Sequence, residues 1–325
     1  MNKPTTRSHY LPRTYLKHFL FEDALFMYMK GEKFFKNDCA SEQRIFKIKG
    51  ESELVNIGLQ NNLYQLDVQG FTANDIEEIF QEYGENFLDE VIAKIAKKRA
   101  GEKIDQELKD KLCIFLGAMR VRTPLLKWET EEASSVFLKY SMGSRMQNIS
   151  VAELKKEMET TGKDYTEEQI EIAQRAFVDK KYELKWPNAL FLKSALLGLE
   201  MHANIFHKMR MIILRSNNNR HFVTSDNPVV YFVPQEKINF YNPPRSLMSP
   251  HTEVFFVLTR NIAVHLSRAE KLKEIIMDTK RDTVDMFNYN ISHNSFNFIF
   301  SPIQMNSLEQ FIKEYTPYPF RITMR

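Results

Sequence analysis

A chain of 325 residues that is 43% hydrophobic and 12% aromatic, with 25 Phe and 13 Tyr against only 10 Gly, can bury a large core, which excludes a disordered or fibrous protein. Its formal net charge of +3 excludes the simplest electrostatic case for a nucleic-acid surface, although local clusters of Lys and Arg say more than the sum. Cys39 and Cys113 make neither a disulfide framework nor a Cys-x-x-Cys zinc pattern, no run reaches the length of a membrane span, and the opening residues lack a secretory apolar core; a cytoplasmic protein without a membrane partner is expected.

In chain order, Ser8 to Phe19 predicts a short helix entered through Ser8 and Pro12, with Tyr15, Leu16 and Phe19 on one side. His9 then sits at the helix start with Arg13 one turn on, a pair that can hold a phosphate or carboxylate or can serve as a cap and a surface ion pair. Ala24 to Lys30 and Asn62 to Asp67 read as strands, and Gln43 to Lys49 as a third. From Asn74 to Arg99 the apolar spacing turns helical, with Asn74 as cap. Glu78 and Glu85 share one face of that helix, and Glu77, Gln81 and Glu85 form an alternative row; such carboxylates bind a divalent cation if the face turns inward and are otherwise solvated.

Asp105 to Ser134 predicts a second long helix kinked at Pro124, which makes Arg122 a planar anion clamp or the partner of a glutamate in the preceding helix. Ser150-x-x-Glu153 and Thr166-x-x-Gln169 are capping boxes in the most charged part of the chain, so residues 143–185 are expected to be a peripheral helical insertion in a single domain covering residues 1–325. Asn188 to Arg215 reads as an apolar helix, whose His202 and His207 are spaced wrongly for a shared metal and are taken as structural. Glu253 to Leu258 and Ile262 to Leu266 form a hairpin, Arg268 to Phe287 a helix, Phe296 to Phe300 a strand, and a last helix begins at Ser307. This order of elements argues for an α+β fold, helix-rich, with long helices packed on a small mixed or antiparallel sheet.

The most distinctive stretch is Ser225-Asp226-Asn227-Pro228, four turn formers between two apolar strands, Phe222 to Thr224 and Val229 to Phe232. A carboxylate at such a kink can bind metal, orient a histidine or act as a base, and the same residues can instead satisfy backbone donors in a tight turn. If the charge is functional, Asp226→Asn costs activity more than stability. His251, at the entrance to the next strand, is placed like Asp226.

HYLPRTYLKHF at the start, Arg122-Thr123-Pro124, FVTSDNPV at Phe222 to Val229, SPHTEVFFVL, and Asn288 with FIFS at Phe298 to Ser301 together resemble the uncharacterised, mainly bacterial family catalogued as domain of unknown function 4238. The resemblance covers nearly the whole chain and supplies no established activity. It implies that His9, Arg13, Glu85, Arg122, Ser225, Asp226 and Asn288 converge on one polar site.

Two functions fit that expectation. In the first, the protein is a phosphodiester hydrolase, an RNA- or DNA-directed nuclease of the kind carried by bacterial defence or toxin systems, with RNA the favoured partner. His9, Arg13, Glu85, Arg122 and Asp226 are then its catalytic residues, Ser225, Asn227, Asn288 and His251 contact substrate, and Glu85 with Asp226 holds Mg²⁺ if the reaction needs it. In the second, the protein is a non-enzymatic binding or regulatory protein and the cluster is a buried structural network. A water-filled cleft joining His9, Glu85 and Asp226 favours the first, and full burial with every donor satisfied favours the second.

Overall fold

The computed structural model describes residues 7–30, 44–64, 73–160, 165–216 and 220–314. The chain first lays down β1 (Arg7–His9), α1 (Arg13–Leu16), β2 (Ala24–Met29), β3 (Ile45–Lys49), α2 (Gly50–Glu53) and β4 (Leu59–Asn61). Then come α3 (Ala73–Phe80), α4 (Leu88–Lys97), α5 (Gln106–Val121), α6 (Pro124–Asn148), α7 (Val151–Glu159), α8 (Glu167–Val178) and α9 (Asn188–His207). It ends with β5 (Arg210–Arg215), β6 (Thr224–Ser225), β7 (Val229–Phe232), β8 (Glu253–Thr259), β9 (Ile262–Ser267), β10 (Ile276–Asp278), α10 (Arg281–Asn294), β11 (Phe298–Ser301) and α11 (Asn306–Glu314). The fold is α+β. No helix among the described residues is long and apolar enough to cross a membrane.

Among the described residues the strands make three sheets. β1 pairs with β4, a mixed five-stranded sheet runs β10-β5-β9-β8-β7, and an antiparallel four-stranded sheet runs β3-β2-β11-β6. The two halves of the Ser225–Asn227 kink therefore belong to different sheets: β6 pairs with β11 and β7 with β8. β-branched and aromatic residues fill both faces of β8, where every residue from Val254 to Thr259 is buried. On α10, Val284, Phe287, Asn288, Ile291 and Ser292 are buried at the three-and-four spacing of a helix with one packed face.

Helix α5 is buried almost all round, which identifies it as the central helix. Its Phe115 meets Tyr15 of α1 (ring centroids 6.1 Å) and Phe256 of β8 (5.8 Å), and Tyr15 stacks on Phe256 at 5.7 Å. Each such ring removed from water stabilises the fold by roughly 1.5–3 kcal/mol. The Tyr15 hydroxyl also donates to the Val257 carbonyl at 2.6 Å and lies 2.7 Å from Thr224 Oγ1, so this buried ring has a polar anchor. The first turn of α1 is thereby nailed to the sheet.

Among the described residues the chain divides into two compact units, one made of residues 7–126 and 192–314, the other of Lys127–Phe191. The second has its own small core, Met146, Leu154 and Ile170, covered by Ile149, Met158 and Phe177. Both capping boxes are formed there, at Ser150 with Glu153 and at Thr166 with Gln169.

Several boundaries differ from the sequence reading. His9 ends a strand rather than starting a helix, because its backbone is paired opposite Leu59 and α1 begins only after Pro12. The strand expected at Asn62 to Asp67 lies earlier, at Leu59–Asn61; Asn62 has φ 57° and turns the chain, and residues 65–67 are outside the described part. The helix expected from Asn74 to Arg99 is broken by a π-helical turn, Gln81–Glu85, and Asn74 lies inside α3 instead of capping it. Gly84 sits against Phe115 so closely that a Cβ there would overlap the ring, which draws this turn onto α5. Pro124 opens α6 as its first residue, a position where its missing N–H costs nothing, and so separates two helices rather than kinking one. Arg210–Arg215 is a strand, and the stretch read as one helix from Arg268 contains β10, paired in parallel with β5, before α10 starts at Arg281.

Candidate functional site

Four of the expected residues meet. His9, Arg13, Glu85 and Arg122 line a cleft of about 400 Å³ together with Pro12, Thr14, Lys17, Glu51, Glu77 and Gln81. The N–H groups of Tyr10 and Leu11 bond the Gly58 carbonyl at 2.8 and 3.3 Å, which turns the chain from β1 toward α1. Gly58 has φ +64° and a Cβ would run into Leu11, so glycine is required at this crossing. Helix α1 and the single turn that follows it then present Arg13, Thr14 and Lys17 to the cleft while Tyr15 and Leu16 are buried.

The opposite wall is the row Glu77, Gln81 and Glu85, spaced at successive turns of α3 and the π-helical turn. Glu78, the other candidate for this wall, is exposed and lines no part of it. Arg122, at the C-terminus of α5, closes the floor: Nη1 donates to Glu85 Oε1 at 2.8 Å and Nη2 to the His9 carbonyl at 2.6 Å, and its guanidinium lies 4.9 Å from the Phe80 ring centroid. The second Glu85 oxygen accepts from Thr14 Oγ1 at 3.3 Å. Lys17 pairs with Asp89 at 2.6 Å, and His18 holds the other oxygen of the same carboxylate at 2.8 Å.

Three atoms of this cluster are buried with no hydrogen-bond partner: His9 Nδ1, Glu77 Oε1 and Arg122 Nε. Such atoms cost free energy unless a water or ligand completes them. Burial lowers the pKa of His9, a ring hydrogen bond to the Ile57 backbone opposes that, Arg122 and Arg13 lower it further and Glu85 raises it. The imidazole is therefore biased to its neutral form. Burial raises the pKa of Glu77 against the field of Arg122 and a hydrogen bond from the His9 backbone. A neutral imidazole that can take a proton thus shares a cleft with a carboxyl that holds one unusually well.

The other expected residues lie elsewhere. Asp226 is 1% exposed and accepts from the backbone N–H groups of Phe296 (2.8 Å), Asn297 (2.6 Å) and Phe298 (3.0 Å). Burial pushes its pKa up to about 6 against those three donors and the nearby Lys30. Ser225 Oγ donates to the Asn227 carbonyl at 2.9 Å and accepts from the Asn227 N–H, while Asn227 Nδ2 donates to the Asn294 carbonyl at 2.8 Å. Asn288 accepts from the Val223 N–H and donates to the His221 carbonyl, stapling α10 to the segment that leads into β6. His251 is exposed, with its N–H on Ser249 Oγ. None of these five lines the cleft, and the partners of Ser225, Asp226, Asn227 and Asn288 are backbone groups that tie together the ends of α10, β6 and β11.

The residues present do not fit the Mg²⁺ site expected from Glu85 and Asp226. The two carboxylates line no common cleft, each is already engaged, and among the described residues no group of three or more His, Cys, Asp and Glu gathers as a metal would need. His202 Nδ1–H donates to the Gly198 carbonyl at 2.6 Å within α9, and the exposed His207 lies 2.9 Å from Asp110 at the end of that helix. Sequence reading passed over Thr14, Glu51 and Lys17 as site residues. Thr14 and Lys17 are three residues apart, on one face of the helical stretch that runs from α1 into the next turn, the one signal that pointed to them.

These features define an α+β protein with an open cleft of paired charges, walled by a strand end, a short helix and a broken helix. The chain belongs to the family described as Protein of unknown function (DUF4238), whose model matches residues 7–303. No curated protein and no solved structure matches it.

Proposed function

We propose that the cleft is an acid–base hydrolytic site acting on a phosphodiester. The observation that supports this most is the meeting of His9, Glu77, Arg13 and Arg122 around one open cavity, with the buried His9 Nδ1 and Glu77 Oε1 lacking a hydrogen-bond partner.

In this reading a water in the cleft gives a proton to His9 as it attacks phosphorus, and the ester P–O bond breaks as Glu77 gives its proton to the leaving oxygen. Arg13 faces the added negative charge of the pentavalent state. Glu85 is a positioning residue: it holds the Arg122 guanidinium, which in turn grips the His9 carbonyl and fixes the ring over the cleft.

Purified protein would be incubated with bis(para-nitrophenyl) phosphate, total RNA, single-stranded DNA and duplex DNA, each with Mg²⁺, with Mn²⁺ and with chelator. Release of a phosphomonoester product that is lost in both His9→Ala and Glu77→Gln is the expected result. Absence of product from every substrate rejects the reading.

A further inference from the structure

The charged groups facing the cleft come in equal numbers: Arg13, Lys17 and Arg122 against Glu51, Glu77 and Glu85. Two of the three cations are already committed, Arg122 to Glu85 at 2.8 Å and Lys17 to Asp89 at 2.6 Å. Arg13 is exposed, and among the described residues its guanidinium makes no hydrogen bond or ion pair. It is the cation offered to an incoming anion.

A track for a polynucleotide is built differently. Successive phosphates each need a Lys or Arg, because release of condensed counterions drives the binding, and carboxylates between those cations repel the strand. This cleft offers one uncommitted cation, with Glu51 and Glu77 facing it and Glu85 already paired to Arg122. Its volume of about 400 Å³ also lies toward the small end of the range of about 300–1,000 Å³ typical of small-molecule sites. The carboxylates suit another part of a ligand, since Glu side chains accept hydrogen bonds from exocyclic amines, ring N–H groups and sugar hydroxyls. Gln81 beside them adds both a donor and an acceptor.

We propose that the ligand of this cleft is a small monoanionic phosphodiester, of the class of a dinucleoside monophosphate or a cyclic nucleotide. Its single phosphate sits on Arg13 with Glu77 at the leaving oxygen, and its base and sugar donors face Glu51 and Gln81. This rests on the hydrolytic reading of the cleft and narrows it: water adds to phosphorus, one ester bond breaks, and the products are a phosphomonoester and a free hydroxyl, on one molecule if the substrate is cyclic and on two if it is linear.

The test is calorimetric titration of the intact protein with a dinucleoside monophosphate, cyclic adenosine monophosphate and a single-stranded RNA oligomer, repeated across a salt series. One small phosphodiester is expected to bind one to one, with a salt dependence much shallower than that of a strand held at several phosphates. The RNA oligomer should bind no more tightly and with the same slope. Arg13→Ala, an exposed change that leaves the core untouched, should weaken binding about ten- to hundredfold, the loss of one charge-assisted hydrogen bond. Tighter binding of the oligomer with a slope several times steeper overturns the proposal, as does parent-like binding by Arg13→Ala or no binding of either small compound. The two readings fail separately. Binding on these terms with no turnover of any phosphodiester keeps the ligand class and removes the hydrolysis, whereas turnover of RNA alone removes the ligand class and keeps the hydrolysis.

Discussion

Arg122 and Glu85, 37 residues apart in the chain, stand 2.8 Å from each other with their side chains 3% and 15% exposed. A charge pair this deep is stable only as a pair, because either ion left alone keeps its desolvation cost and loses its partner. Arg122→Met is therefore expected to destabilise the protein by about 3–5 kcal/mol in denaturant unfolding. Glu85→Gln, which keeps an acceptor for the guanidinium, should cost less. Parent-like stability of Arg122→Met would show the pair to be idle.

For His9 the folded pKa is lowered, mainly by burial, so the folded chain holds the neutral ring more strongly than the unfolded chain does. The unfolded chain then binds more protons just below the ordinary value of about 6.5, and stability from this group is present above that pH and lost as pH falls through the folded pKa. Histidine titration by NMR should place His9 below the ordinary value, and His9→Gln should flatten the acid side of the stability profile. A titration at or above the ordinary value would contradict the packing of His9 against Arg122 and Arg13.

Asp226 gives the opposite sign. Its carboxyl protonates at about 6 in the folded chain against an ordinary 3.8, so the folded state binds the proton more tightly and this group's contribution to stability falls as pH rises between those values and is level above. Asp226→Asn should remove that slope. It should also leave at least one of the three backbone donors at Phe296, Asn297 and Phe298 facing an amide N–H, a loss of about 1–3 kcal/mol. Activity per folded molecule is expected to survive, since Asp226 lines no part of the cleft; a folded, inactive Asp226→Asn protein would return the residue to catalysis.

Gly84→Ala tests the turn that carries Glu85. The added methyl group overlaps the Phe115 ring, and overpacking of a buried contact typically costs about 1–3 kcal/mol. Because relief of the overlap moves the Gln81–Glu85 turn off α5, ligand affinity in the cleft should fall together with thermal stability. A variant with lowered stability and unchanged affinity would mean that the turn does not position Glu85.

The features legible in the sequence are those whose causes lie within a few residues. The capping boxes at Ser150 and Thr166 form because each cap and its N3 partner are three apart, and the β8–β9 hairpin forms across a short polar turn. The row Glu77, Gln81 and Glu85 could be drawn from helical spacing alone. Its choice over Glu78 could not, since that depends on which face of α3 turns toward β1 and Arg122.

Position in space was decided by contacts far apart in the chain. β10 is a strand because β5, more than 60 residues earlier, offers it a parallel edge, and its own sequence runs straight into helix-forming residues. His9 belongs to a cleft because Arg122 reaches its carbonyl across 113 residues, and Asp226 belongs to a turn because its donors come from a segment about 70 residues later. Periodicity and turn chemistry are properties of a short stretch, so the sequence by itself determined the α+β class and most element types. Which polar residues would share a cavity depended on the packing of α1, α5 and the π-helical turn around Phe115, and only the tertiary structure decides that, because burial is a property of the whole assembly of elements rather than of any one of them.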